Sequence, residues 1–137
     1  TLWSNVEAFN PPGAPRRVEQ MWFPGDHGGV GGGAARGLSN CALMWVLEGA
    51  ERAGLAIDRD PGSVISGCLA EIDPIGADHD GGFSLLKVAG ARWRKGLARF
   101  EDVHEAARLR WIGNARYRPA PLAPFADQMS LALRQAA

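Results

Sequence analysis

The residues best suited to chemistry lie in one glycine-rich stretch, MWFPGDHGGVGGGAARGLSN, at residues 21–40. One histidine, His27, stands among six glycines between Gly25 and Gly33. Imidazole suits general acid–base catalysis because its unperturbed pKa is about 6.5. Glycine lets the backbone turn tightly and leaves room for a substrate. From the residues alone, a catalytic histidine and a plain glycine-rich surface loop are equally well supported.

A dinucleotide-binding interpretation of the same stretch is weaker. Gly29, Gly31 and Ala34 fit the spacing G-x-G-x-x-A, and Asp58 follows further along the chain. In a run so rich in glycine this spacing arises easily. The helix-capping signal at Ser39 also comes several residues after the glycines, whereas a pyrophosphate needs a helix that opens at them. A P-loop is excluded because no Gly-Lys-Ser/Thr follows.

The stretch WFPGDHGGVGGG resembles the signature of an uncharacterised α/β-hydrolase family that includes phospholipase effectors of bacterial type VI secretion. The family pattern is roughly W-F-x-G-x-H-x-D-x-G-G-G, then L-S, then a helix with a Trp or Trp-Met pair. The matching residues are Trp22, Phe23, Gly25, His27, Gly31, Gly32, Gly33, Leu38, Ser39, Met44 and Trp45. The segments TLW at 1–3, DVHEAARLRW at 102–111 and YRPAPL at 117–122 resemble other parts of the family more weakly. Two positions differ, since Gly29 replaces the expected aspartate and Ala106 the expected serine.

The resemblance implies an α/β fold, specifically the C-terminal portion of an α/β-hydrolase-like domain that forms one partial domain over residues 1–137. It also implies a serine hydrolase that acts on carboxylic esters, such as a phospholipase or lipase. In such an enzyme His27 is the catalytic histidine that takes the proton of the nucleophile. Gly25, Gly28 and Gly31 are the expected substrate-binding positions, and the expected substrate is an ester or lipid.

The nucleophile that this chemistry needs is not visible in the chain. No serine lies in a G-x-S-x-G elbow: Ser84 in GFSLL and Ser39 in GLSNC each have only the first glycine. We therefore expect the nucleophile and the acid to lie in an N-terminal remainder of the same domain, and this chain alone to be inactive. The alternative is a degenerate, non-catalytic α/β-hydrolase-like domain that acts as a binding module.

The charge balance and the apolar content of the chain limit the classes of partner that can be expected. Fifteen basic residues balance fifteen acidic ones, so no net field favours nucleic acid. No run of 18 apolar residues occurs, and no transmembrane segment is expected. Without a signal-peptide pattern, the expected location is the cytoplasm. The family resemblance further implies delivery by a secretion system.

No cofactor and no metal are expected. The acidic cluster around His79 has no metal-ligand spacing and is typical of a solvated turn; it contains Asp73, Asp78, His79 and Asp80. Cys41 and Cys68 are expected to be two reduced thiols, or at most one bridge.

The elements that must position His27 follow from local patterns. The segment RVEQMWF, residues 17–23, predicts a strand with His27 in the loop just beyond its end. A helix is predicted to start within two or three residues of Ser39, with Ser39 or Asn40 as its cap, and to end near Gly54. Its apolar first half should be buried, with Trp45 in the core.

The rest of the chain is predicted more coarsely. A short helix is expected within residues 62–72, and an amphipathic helix over residues 100–113. Residues 83–96 fit a strand or a helix equally. The prolines of residues 117–126 predict an irregular, extended tail.

Overall fold

The computed structural model of the chain describes residues 9–15, 18–32, 36–75, 97 and 99–136. The α-helices in these ranges are α1 (His27–Gly31), α2 (Arg36–Arg52), α3 (Val64–Ala70), α4 (Glu105–Gly113) and α5 (Ala126–Ala136). Two 3₁₀-helices, Phe100–Asp102 and Ala120–Phe125, precede α4 and α5. None of the described helices is long and apolar enough to cross a membrane.

The predicted α/β fold is wrong for the part of the chain that the structure describes, because this part is helical and holds no β-strand. Residues 18–23 pair through one parallel bridge between Trp22 and Val103. The Trp22 N–H donates to the Asp102 carbonyl at 2.7 Å, and the His104 N–H donates to the Trp22 carbonyl at 2.9 Å. The pairing stops there because Pro24 follows on one side and α4 begins at Glu105 on the other.

The prediction for α2 is confirmed in its bounds. The helix starts three residues before Ser39 and ends two residues before Gly54, which takes the positive φ of +94° that stops a helix. Ser39 is not the cap, however, because it lies inside the helix, where its hydroxyl donates to the Arg36 carbonyl at 3.2 Å. The predicted burial of the apolar first half is confirmed only in part: the buried residues at the start of α2 are Leu38, Ser39, Asn40, Cys41 and Ala42.

Residues 43–47, which the sequence also predicts to be buried, are less buried than expected. Leu47 belongs to the buried residues, but Trp45 is half-buried and Val46 is 55% exposed. Trp45 is therefore not a residue of the closed core.

The short helix predicted within residues 62–72 is confirmed as α3, capped by the Ser63 hydroxyl, which accepts from the Ser66 N–H at 3.1 Å. The buried Asn40 of α2 donates its amide to the Cys68 carbonyl at 2.6 Å, which ties α2 to α3. Residues 72–75 then fold back onto the start of α2, where the Asp73 N–H donates to the Gly37 carbonyl.

The main buried cluster lies between α4, α5 and the two 3₁₀-helices. It contains Leu97, Val103, Ala107, Trp111, Leu122, Phe125 and Met129. Its α4 part confirms a helix within residues 100–113, although the predicted single helix is split because His104, with φ −63° and ψ +148°, is extended.

The predicted irregular tail is wrong for residues 120–126. The 3₁₀-helix over Ala120–Phe125 contains Pro124 and buries Pro121, Leu122 and Phe125. Proline is disfavoured in the interior of an α-helix because it has no backbone N–H to donate, but a short 3₁₀-helix does not need that N–H. Residues 83–96, for which no single element was predicted, lie outside the described residues.

Candidate functional site

His27 is the first residue of α1, so the prediction that it lies in a loop is wrong. Asp26 precedes it as the N-cap, and its carboxylate accepts from the Gly29 N–H at 2.9 Å. At the other end Gly32 has φ +97°, and its N–H donates to the Gly28 carbonyl. A cap at each end offsets the low helix propensity of glycine and closes one short helix inside the glycine-rich stretch.

The three glycines predicted to bind substrate have different surroundings. Gly25 has φ +115°, and a Cβ there would lie 3.4 Å from the backbone of Gly29, so this glycine permits the tight entry into α1. Gly28 is half-buried inside α1. Gly31 is exposed, with open space around its Cα, and lines a groove. A substrate contact by any of them stays a prediction.

A groove of about 480 Å³ lies between residues 19–23, the end of α1 and one face of α2. Its lining is mostly apolar, which favours an aliphatic or aromatic ligand. The lining residues are Glu19, Gln20, Met21, Phe23, Val30, Gly31, Gly32, Ser39, Ala42, Leu43, Trp45 and Val46. His27 stands four residues before Gly31, about 6 Å along the axis of α1. His27 and Gly31 thus belong to the same short helix, whose C-terminal end lines this groove.

Phe23 forms part of the groove wall and is held on two sides. On one side it meets Trp45 edge-on, with ring centroids 5.9 Å apart and 62° between the planes. On the other side it stacks on the His104 ring, at 4.2 Å and 29°. Such contacts add about 0.5–1.5 kcal/mol beyond the buried area.

His104 has a role that the sequence did not reveal. It is the N-cap of α4, and its Nδ1 accepts from the Ala106 N–H at 3.1 Å. The donor is a backbone group, so alanine in place of the serine expected at 106 leaves this bond intact. Burial lowers the pKa of His104 most, aided by Arg108, while Glu105 and Glu48 oppose the shift. Histidine is an uncommon cap, and therefore no standard capping signal marks it.

The described residues contain no group of three or more metal-ligating side chains that could hold an ion. Asp78, His79 and Asp80 lie outside them. Ser39 lines the groove but belongs to a continuous helix, not to a sharp strand-to-helix turn. Cys41 and Cys68 are free thiols, as one of the two sequence interpretations had it.

Comparison with known proteins gives one finding for this site. Residues 1–49 match the family model of the catalytic domain of Tle1-like phospholipase effectors of type VI secretion systems. The matched stretch contains His27, all of α1 and every residue that lines the groove, and it ends inside α2. It supports the resemblance to the effector family that the motif suggests. No curated protein and no solved structure matches the chain.

Proposed function

We propose that this chain forms part of the lipid-binding and catalytic site of a phospholipase that cleaves carboxylic esters, with His27 as its general base. The observation that carries the proposal is the match to the phospholipase effector family over residues 1–49, which includes both His27 and the whole groove. The apolar lining of the groove supports a lipid as the substrate.

In the proposed reaction, His27 removes the proton of a serine hydroxyl as the serine oxygen attacks the ester carbonyl. The imidazolium then gives this proton to the departing alcohol, and water releases the acyl group by the same route. Because none of the 137 residues forms a G-x-S-x-G elbow, the proposal takes the nucleophile and the orienting acid from outside these residues.

The groove accommodates the acyl chain of the substrate in this proposal. Phe23, Val30, Leu43 and Val46 offer apolar contact, and each methylene group removed from water contributes about 0.8 kcal/mol. The groove edge formed by Val30 and Gly31 belongs to the helix that His27 begins. A chain bound there would leave its ester near the start of α1.

The test compares the natural protein that carries these residues with its His27→Ala variant. Release of fatty acid from vesicles of an unactivated phospholipid is measured, because an isolated imidazole can hydrolyse activated esters. We expect His27→Ala to lower turnover by several orders of magnitude, since the members of a triad act as a unit. The matched control is His79→Ala, a histidine outside the motif, which should leave turnover near the wild-type value.

Two results would contradict the proposal. Hydrolysis that survives His27→Ala would assign the chemistry to other residues. A folded natural protein without any hydrolytic activity would favour a non-catalytic binding module. The 137-residue chain alone is expected to give only background hydrolysis, because a base without a nucleophile and an acid does not form an acyl-enzyme.

A further inference from the structure

His104 contacts two consecutive residues, Trp22 and Phe23, of the segment that leads to His27. Its backbone N–H donates to the Trp22 carbonyl at 2.9 Å, and its ring stacks on Phe23 at 4.2 Å. Pro24, which follows, is fully buried. The chain then turns at Gly25 and enters α1. Phe23 also contacts Trp45 in the groove wall. His104 therefore supports both the groove wall and the segment that enters α1.

We propose that His104 is a positioning residue for the groove: its neutral ring holds Phe23 against Trp45, and protonation of the ring releases this wall. The structural part of the proposal stands on the contacts alone. Its consequence for hydrolysis rests on the proposed function.

The hydrogen bond at Nδ1 explains why the ring must be neutral. Since Nδ1 accepts from the Ala106 N–H, the single ring proton lies on Nε2. A second proton would place one N–H against another and set a positive charge at the N-terminus of α4, where the helix dipole opposes it.

The charged groups around the ring act in both directions. Glu105 of α4 and Glu48 of α2 favour protonation, whereas Arg108 of α4 and burial of the ring oppose it. Burial is the largest effect, so the pKa of His104 in the folded chain is lower than its ordinary value of 6.5.

The lowered pKa of His104 determines how the stability of the folded chain changes with pH. As the pH falls, the unfolded chain takes up the proton first, so the stabilisation that His104 provides is complete above about pH 6.5. It is lost as the pH falls through the lower pKa of the folded chain. The release of Phe23 coincides with that second titration.

The test follows the Phe23 ring protons and the Trp45 indole N–H of the 137-residue chain by NMR from pH 8 to pH 5. In the wild type we expect both signals to shift together with the imidazole of His104, at one apparent pKa below 6.5, and the Ala106 N–H to shift with them. The His27→Asn and His79→Asn variants should keep this titration, which assigns it to the third histidine.

Two substitutions of His104 test separately the stacking of its ring on Phe23 and its role as the N-cap of α4. His104→Phe keeps an aromatic ring beside Phe23 but cannot accept from Ala106, and it should hold the Trp45 signal at its high-pH position throughout. His104→Asn keeps a capping acceptor but removes the ring, and it should displace the Trp45 signal at every pH while α4 stays folded. The proposal is overturned if Phe23 and Trp45 do not titrate with His104, or if His104→Asn leaves them at the wild-type positions.

A kinetic measurement on the natural protein adds the consequence for hydrolysis. We expect His104→Asn to raise KM for a long-chain phospholipid severalfold with a smaller change in kcat, and His104→Phe to restore KM. An unchanged KM would contradict the positioning role. Complete absence of hydrolysis in the wild type would defeat the proposed function, while the NMR result would still decide the structural part.

Discussion

The two cysteines differ in burial, and this difference sets the rate at which each thiol reacts. Cys41 is buried in α2, where its thiol donates to the Gly37 carbonyl at 3.3 Å, and burial raises its pKa. Cys68 lies half-buried on α3. Alkylation proceeds through the thiolate and needs access to the sulfur.

We therefore predict that iodoacetamide at pH 8 modifies Cys68 well before Cys41 in the folded chain. Mass spectrometry of peptides taken at intervals measures both rates in one sample. In urea, where burial is lost, the two rates should converge. Equal rates in the folded chain would mean that α2 opens readily at Cys41.

Among the candidate site residues, the sequence points to His27 but does not indicate what surrounds it. The glycine density and the family motif point to this histidine without any coordinates. The sequence does not mark Asp26 as the cap of α1, because the low helix propensity of the glycines that follow favours a loop. His104 was not foreseen because its contacts with Trp22 and Phe23 join residues about eighty positions apart.

At the scale of elements, two glycines of α2 offer a matched test of how its first turn packs. A Cβ on Gly37 would lie 3.1 Å from both the Cβ and the carbonyl oxygen of Asp73. A Cβ on Gly49 would meet nothing closer than the end of the Arg52 side chain, at 3.7 Å. The backbone near Asp73 cannot yield without breaking its hydrogen bond to Gly37.

We predict that the same substitution has opposite signs at these two positions. Gly49→Ala should raise the free energy of unfolding by about 0.5–1 kcal/mol, through helix propensity. Gly37→Ala should lower it by about 1–2 kcal/mol, because crowding outweighs that gain. Urea denaturation of both variants measures the difference, and a stabilised Gly37→Ala would show that residues 72–75 do not pack on α2 as described.

The local sequence predicts some of the observed elements but not others. The bounds of α2 follow from its apolar run and from Gly54, and α3 lies within the short segment, residues 62–72, where a helix is predicted. The predicted strand fails because a strand depends on a partner ladder, and the partner of Trp22 turns into α4 after one bridge. The 3₁₀-helix at Ala120–Phe125 does not follow from the sequence pattern, because its prolines exclude a regular α-helix and so favour an extended tail.

At the scale of the whole molecule, the fold class was the least predictable property. The family resemblance implies an α/β architecture, but the described residues form helices and no strand, and the main buried cluster joins α4 and α5. That cluster brings residue 97 together with residues 103–129, outside the matched residues 1–49. The groove, in contrast, is made entirely of residues 19–46, which lie within the stretch that matches the family model.

We propose that His27 and the groove form one site for a lipid ester. Val46 and Val64 provide a matched pair for its test, because both are exposed apolar residues, at 55% and 82%, and only Val46 belongs to the groove lining. Replacing Val46 by Asp places a charge where the acyl chain is proposed to lie, which costs binding of a long chain more than of a short one.

The decisive measurement is the ratio of kcat/KM for a long-chain to a short-chain phospholipid, determined for the natural protein and for its Val46→Asp and Val64→Asp variants. We predict that Val46→Asp lowers this ratio about tenfold or more, equivalent to about 1.4 kcal/mol or above, and that Val64→Asp leaves it unchanged. An unchanged ratio in a folded Val46→Asp variant, or an equal loss in Val64→Asp, would contradict the claim that the acyl chain lies in this groove.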